Sequence, residues 1–211
     1  MNNQTYSIDS IIYPRTFLRF SRCVHADIDN LLREIREHVN KGLHLGCGSS
    51  MLSGLINCDL FNPNADLQID STNLSIFEDN TIDLIEAHHM IEHLSFSDTG
   101  KALIECHRVL RPGGLLVITC PDLTRICLRW IMLTILYPFF PLPDKLDYIV
   151  KMLVGSQEHD GMFHKNSFDV RRLSRLLTEH GFKTEFSFTP YPHRPTPSLL
   201  IISRKYQNAQ S

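Results

Sequence analysis

The chain has 211 residues, 43% of them hydrophobic and 21% charged, enough to bury one full core and too few for two enzyme-sized domains. With 21 basic against 23 acidic residues the formal charge is −2, which argues against the broad positive field of a phosphate-backbone binder and sets nucleic acid aside as a partner. Six cysteines (Cys23, Cys47, Cys58, Cys106, Cys120, Cys127) have no paired C-x-x-C spacing and read as reduced thiols of a cytoplasmic protein.

Residues 1–26 mix aromatic and basic side chains, among them Tyr13, Arg15, Phe17, Arg19, Phe20 and Arg22, without a regular period. They are read as an arm or lid ahead of a single domain, 27–211, and the arginines interrupt any apolar run that a secretory signal needs. From residue 27 the spacing Ile28, Leu31, Leu32, Ile35, Val39 predicts a helix that Gly42 stops. Short strands follow at 43–45, 55–59, 66–69, 82–87 and 115–120, the last two apolar enough for a buried parallel sheet. A helix is predicted over 98–110, opened by Ser95 or Ser97 and closed by the turn Arg111-Pro112-Gly113-Gly114.

Residues 123–155 are expected to form a helical insertion over the active site. Their most apolar run, 126–142, carries Arg129 and is broken by Pro138 and Pro141, which suits a spanning helix poorly but leaves a face that a lipid surface or greasy ligand could cover. A last helix over 169–180, capped by Ser167 and ended by Gly181, precedes strands near 183–189 and 198–203. Strand and helix alternate, as in a doubly wound α/β fold.

The chemistry begins at Leu43-His44-Leu45-Gly46-Cys47-Gly48-Ser49-Ser50, a strand entering a glycine turn where absent side chains let a ligand approach the backbone. Asp59 ends the next strand, beside that turn in a parallel sheet, and can accept from the ribose hydroxyls of an adenosine. A nicotinamide dinucleotide site would need a third glycine where Met51 stands, and the acidic residue follows Gly48 too soon for a full crossover helix.

These segments, with 70–83, 85–94 and 102–121 in the same order, resemble the class I (Rossmann-like) S-adenosylmethionine-dependent methyltransferases, of the methyltransferase type 11 kind. The resemblance implies a doubly wound seven-stranded, mostly parallel α/β sheet with helices on both faces and an antiparallel last strand. It implies S-adenosyl-L-methionine as cofactor, with S-adenosyl-L-homocysteine as product, held by Leu45, Gly46, Cys47, Gly48, Asp59, Leu60, Asp70, Ser71 and His88. The acceptor it suggests is a small molecule or glycan, methylated on oxygen. Rival readings are a binding subunit that keeps the fold without catalysis, and a membrane-surface enzyme acting on a lipid-linked acceptor through 126–142.

His88-His89-Met90-Ile91-Glu92-His93 contains H-x-x-E-H, also the inverted zinc-protease motif, but the chain has no room for a protease fold beside the methyltransferase pattern. The segment also resembles the acidic and histidine cluster that holds a divalent ion in small-RNA 2′-O-methyltransferases, with His89 standing where that pattern has an acidic residue. Glu92 and His93 are read instead as a helix-start pair bonding backbone and a neighbouring helix, and no metal ligand is assigned. His89, just past a strand at the sheet's carboxyl edge, is the candidate catalytic base, with His164, in the polar stretch 157–165, as the next candidate from the opposite wall. The oligomeric state is left open.

Overall fold

The computed structural model describes residues 24–139, 143–193 and 196–206; most of the expected N-terminal arm lies outside them. Chain order runs α1 (Val24–Glu37), β1 (Gly42–Leu45), β2 (Ile56–Asp59), β3 (Leu67–Gln68), β4 (Ile82–His88), α2 (Phe96–Val109), β5 (Leu110–Pro121), α3 (Leu123–Leu136), α4 (Pro143–Val154), α5 (Val170–Glu179), β6 (Phe182–His193) and β7 (Thr196–Lys205). The sheet order is β3-β2-β1-β4-β5-β7-β6. Strands β1 to β5 pair in parallel, and β7 runs antiparallel between β5 and β6. This is the expected doubly wound, seven-stranded sheet.

The two faces of β4 and β5 are sorted by the strand's alternation of side chains. Ile85, Ala87, Leu116 and Ile118 join Leu103 and Cys106 of α2 and Leu173 and Leu177 of α5 in the larger core. Leu84, Leu115 and Val117 meet Ile28, Leu32 and Ile35 of α1 on the other face. The i, i+4, i+7 spacing of those α1 residues supplies the stripe they bury.

Ser95 caps α2, accepting from the Asp98 amide at 3.1 Å. The expected Ser167 cap is corrected: Asp169 caps α5, accepting from the Arg172 amide at 2.7 Å, while the Ser167 carbonyl takes a bond from the Arg172 guanidinium. Between β1 and β2 the described chain forms turns and no helix, as the short spacing from Gly48 to Asp59 required. Asn57 closes that connection by accepting from the Leu52 amide at 2.8 Å and donating to the Leu52 and Leu55 carbonyls.

The α1 face also buries polar groups. Glu86 is held by the Arg36 fork at 2.6 and 2.8 Å and by His88 at 2.7 Å. Burial pushes its carboxyl up, yet the His88 and Arg36 bonds outweigh this and hold it below the usual range. His44, 5.5 Å from His88 ring to ring, has Nδ1 on Asn57 at 3.2 Å and Nε2 buried with no hydrogen-bond partner among the described residues.

Burial first, then His88, lowers the His44 pKa to about 4. An unfolded histidine takes up its proton near 6.5, so the unfolded state binds more protons between that value and the folded one. Stability is therefore lost as the pH falls through this window, by up to about 1.4 kcal/mol per pH unit. Urea unfolding at about pH 7 and about pH 5 should show a smaller loss in His44→Asn than in the wild type. Equal losses would place the dependence on another group.

Candidate active site

The carboxyl ends of β1, β2, β3 and β4 meet at one edge. β1 runs into Gly46 (φ +65°) and Gly48 (φ +50°), the left-handed region that disfavours a side chain. A Cβ on Gly46 would stand 2.3 Å from Met90 Cγ, whereas one on Gly48 would meet open space. The turn is thus closed on one side by Met90 and open on the other. Asp59 frames it: one carboxylate oxygen accepts from the Gly48 amide at 2.8 Å, the other from the Phe61 and Asn62 amides at 2.8 and 2.9 Å. Cys47 is buried, its thiol pushed up by burial and next by Asp59.

The cofactor residues expected from the sequence fall in distinct surroundings. Leu45 is a core side chain, only 1% exposed, so only its backbone could serve a ligand. Leu60 is exposed at the lip. Asp70, also exposed, accepts from the Thr72 amide at 2.8 Å, and Ser71 reaches Met90 Sδ at 3.8 Å. His88 has both ring nitrogens engaged, by Glu86 and by Thr119 Oγ1 at 3.1 Å, and half-buried it faces the polar layer under α1.

Glu105 and Arg108 hold the post-β3 segment: Glu105 accepts from the Leu74 amide at 2.7 Å, and Arg108 donates to the Leu74 and Phe77 carbonyls, both at 2.9 Å. In the sequence they fall within the stretch 102–121 that shares in the resemblance. Their roles in fixing the segment that carries Asp70 needed the fold.

His89 adopts a left-handed backbone, φ +52°, and its amide donates to the Thr119 carbonyl at 2.9 Å. Its ring lies between two partners, Nδ1 3.1 Å from Glu92 Oε1 and Nε2 3.1 Å from Ser198 Oγ. An ionised carboxylate only accepts, so Nδ1 carries a proton, and in the neutral ring Nε2 carries the lone pair. Ser198, unremarked in the sequence, sits at the start of β7 opposite Pro121.

Glu92 and His93 are not the helix-start pair expected. They belong to a 3-10 turn, Ile91–His93, and besides His89 their partners come from 163–166. The Glu92 carbonyl accepts from the Lys165 and Asn166 amides at 2.8 and 3.0 Å, and His93 Nδ1 lies 3.2 Å from the Phe163 carbonyl. The same segment brings in His164, whose Nδ1 meets the Met152 carbonyl at 2.9 Å and whose ring packs edge-on to His93 at 4.9 Å. Burial first pulls His164 below its ordinary range, against the Glu92 charge that raises it. Burial pushes the Glu92 carboxyl up, but the His89 hydrogen bond and the two histidine charges more than reverse this.

A sheet of this order, with a glycine turn, Asp59 and Asp70 at its carboxyl edge, defines a Rossmann-like α/β protein shaped for a nucleoside-like ligand. Residues 19–118 match the family described as a methyltransferase domain. A 37.1 kDa protein of the transposon TN4556 from Streptomyces fradiae is 36% identical over 149 residues, 71% of this chain and 34% of that one. The chain thus spans about a third of that relative's length.

Among solved structures, the 1,6-didemethyltoxoflavin-N1-methyltransferase of Burkholderia thailandensis, bound to S-adenosylhomocysteine, is 14% identical. It aligns over 87% of this chain and 80% of its own, with a TM-score of 0.54. A SAM-dependent methyltransferase from Methanosarcina mazei is 17% identical over 80% of this chain and 93% of its own, with a TM-score of 0.55. The CurJ carbon methyltransferase is 13% identical over 87% of this chain and 54% of its own, with a TM-score of 0.53. At these identities the likeness is one of fold.

Gly46→Ala should destabilise the protein by about 1–3 kcal/mol, the order of a side chain forced into a left-handed backbone, as measured by urea unfolding. Adding Met90→Ala should recover only the part due to Met90 Cγ, because Met90 Cβ would still stand 2.7 Å away, and should leave the backbone part. A neutral Gly46→Ala would mean that neither the backbone nor Met90 resists a side chain there.

Proposed function

We propose that this chain transfers the methyl group of S-adenosylmethionine to a hydroxyl oxygen of a small-molecule or saccharide acceptor. The observation that carries the reading is the pairing, on one sheet edge, of the Gly46-Cys47-Gly48 turn framed by Asp59 with a histidine oriented by a buried carboxylate.

The residues fit the cofactor. Gly48 leaves open space at its Cα, and the Asp59 carboxylate, with three backbone donors on about four lone-pair sites, keeps room for a ribose hydroxyl. Asp70 is exposed beyond β3, where an adenine amino group could donate to it. S-adenosylmethionine would supply a sulfonium-bound methyl, passed to the acceptor oxygen as the carbon–sulfur bond breaks with its electron pair kept by sulfur. Glu92 would hold His89 with its lone pair on Nε2 and stabilise the imidazolium formed when that nitrogen takes the hydroxyl proton. An acceptor hydroxyl would compete there with Ser198, the present partner.

The structural neighbours named above include a nitrogen and a carbon methyltransferase, so oxygen rests on His89 alone. Buried free thiols at Cys47, Cys58, Cys106 and Cys120 support placement in the reducing cytoplasm.

The α3–α4 pair rises from Asp122 at the same edge, over a small core of Ile126, Ile149 and Met152. Leu128, Trp130, Ile131, Ile135 and Phe139 remain exposed. No helix among the described residues is long and apolar enough to cross a membrane. We read the pair as a lid whose apolar face closes over the acceptor, with docking to a lipid surface as the second reading.

Calorimetry should show binding of S-adenosylhomocysteine, weakened by about 1.5–3 kcal/mol in Asp59→Ala through the loss of hydrogen bonds to a charged group. Protein that binds NAD and no S-adenosyl compound would sink the reading. With labelled S-adenosylmethionine and a panel of hydroxylated acceptors, His89→Gln should lower turnover ~10²–10⁴-fold while cofactor affinity and Tm hold. Unchanged turnover returns His89 to a structural role.

Trp130 is the single tryptophan, so its fluorescence reports on the lid. A blue shift on adding cofactor and acceptor supports closure, a shift with anionic vesicles alone supports docking, and no shift with either removes both.

A further inference from the structure

We infer that Glu92, His93 and His164 form a binding site for one divalent transition-metal ion of the zinc type. Nothing in the cofactor reading uses these three residues together. One ligand atom from each lies within 4.8 Å of the others. Donors around an ion at 2.0–2.1 Å stand about 3.4 Å apart in a tetrahedron, so small side-chain rotations would close the set.

Three features single this cluster out from a chance meeting of polar groups. Glu92 is only 2% exposed, and its Oε2 is buried with no hydrogen-bond partner among the described residues. A sealed carboxylate oxygen in that state is costly unless a cation or donor meets it.

Both histidines, moreover, are presented the way ligating imidazoles are. His93 Nδ1 faces the Phe163 carbonyl and His164 Nδ1 the Met152 carbonyl. A carbonyl only accepts, so each Nδ1 carries the proton and each Nε2 keeps its lone pair, the outer-shell pattern that orients metal-bound histidine.

The backbone completes the frame. The Glu92 carbonyl accepts from the Lys165 and Asn166 amides, and the His164 amide donates to the Val154 carbonyl at 3.1 Å. Ligands from two distant segments are thus pinned to one place.

Two imidazoles and one carboxylate suit zinc, cobalt, manganese or iron more than calcium or magnesium. Three protein ligands leave a coordination position for water or an acceptor oxygen, as catalytic sites do. That use rests on the methyl-transfer reading; the site itself does not.

The test is a cobalt titration of the EDTA-treated full chain followed by visible absorption, with zinc measured by atomic emission after dialysis. S-adenosylhomocysteine calorimetry and Tm are run on the same samples, so failure of the metal site and failure of the cofactor reading separate. The wild type should take up one ion and show the absorption of nitrogen- and oxygen-ligated cobalt. His93→Ala and His164→Ala should each weaken uptake by more than about 10-fold, with cofactor affinity retained, and His159→Ala should leave uptake unchanged.

His93→Gln, which keeps a donor for the Phe163 carbonyl, serves if an alanine variant fails to fold and should lose the ion equally. Folded wild type that binds neither metal, or variants that bind as the wild type does, would overturn the proposal.

Discussion

A carboxylate sealed from water must find donors or a cation, and the carboxyl edge of this sheet is organised around that requirement at Glu92. Its side chain takes the His89 ring by Nδ1, and its backbone carbonyl takes two amides from 165–166. One residue therefore sets the tautomer of the candidate base and ties the segment bearing His164 to the turn bearing His93. Removing the side-chain charge would release the His89 ring, while the backbone tie to 165–166 would stay.

The same edge is held from the other side by backbone geometry. β4 ends at His88, and the left-handed His89 turns the chain sharply, its amide returning to the Thr119 carbonyl of β5. A non-glycine residue in this conformation persists only where surrounding bonds over-determine it. Here those bonds are that amide contact and the two ring contacts, to Glu92 and Ser198. Arg36 and His88 meanwhile hydrogen-bond Glu86 beneath α1, so the polar residues of the strand end divide between a structural layer and the cleft.

The Gly46–Gly48 turn and Asp59 depend on this edge as well. Met90, just after His89, fills the space that a side chain on Gly46 would need and touches Ser71. Asp59 then ties the turn to β2 through the Gly48 amide. The glycine turn and the histidine cluster are thus consecutive parts of one packed strip.

Much of this was legible in the residues alone, because it is local. Apolar spacing at the helical period marked α1, and Ser95 ahead of an apolar run marked α2, since caps and amphipathic stripes act within a turn or two. The glycine turn, Asp59 and the strand-end histidines declared themselves for the same reason, as did the short link from Gly48 to Asp59. What the sequence could not carry was pairing across distance. His93 and His164 are brought together by amides of 165–166 bonding to Glu92. Ser198 reaches His89 because β7 runs antiparallel and so begins at the edge where the parallel strands end. Local pattern decides which segments become strands and turns; only the packed sheet decides which strand ends become neighbours, and the function depends on those neighbours.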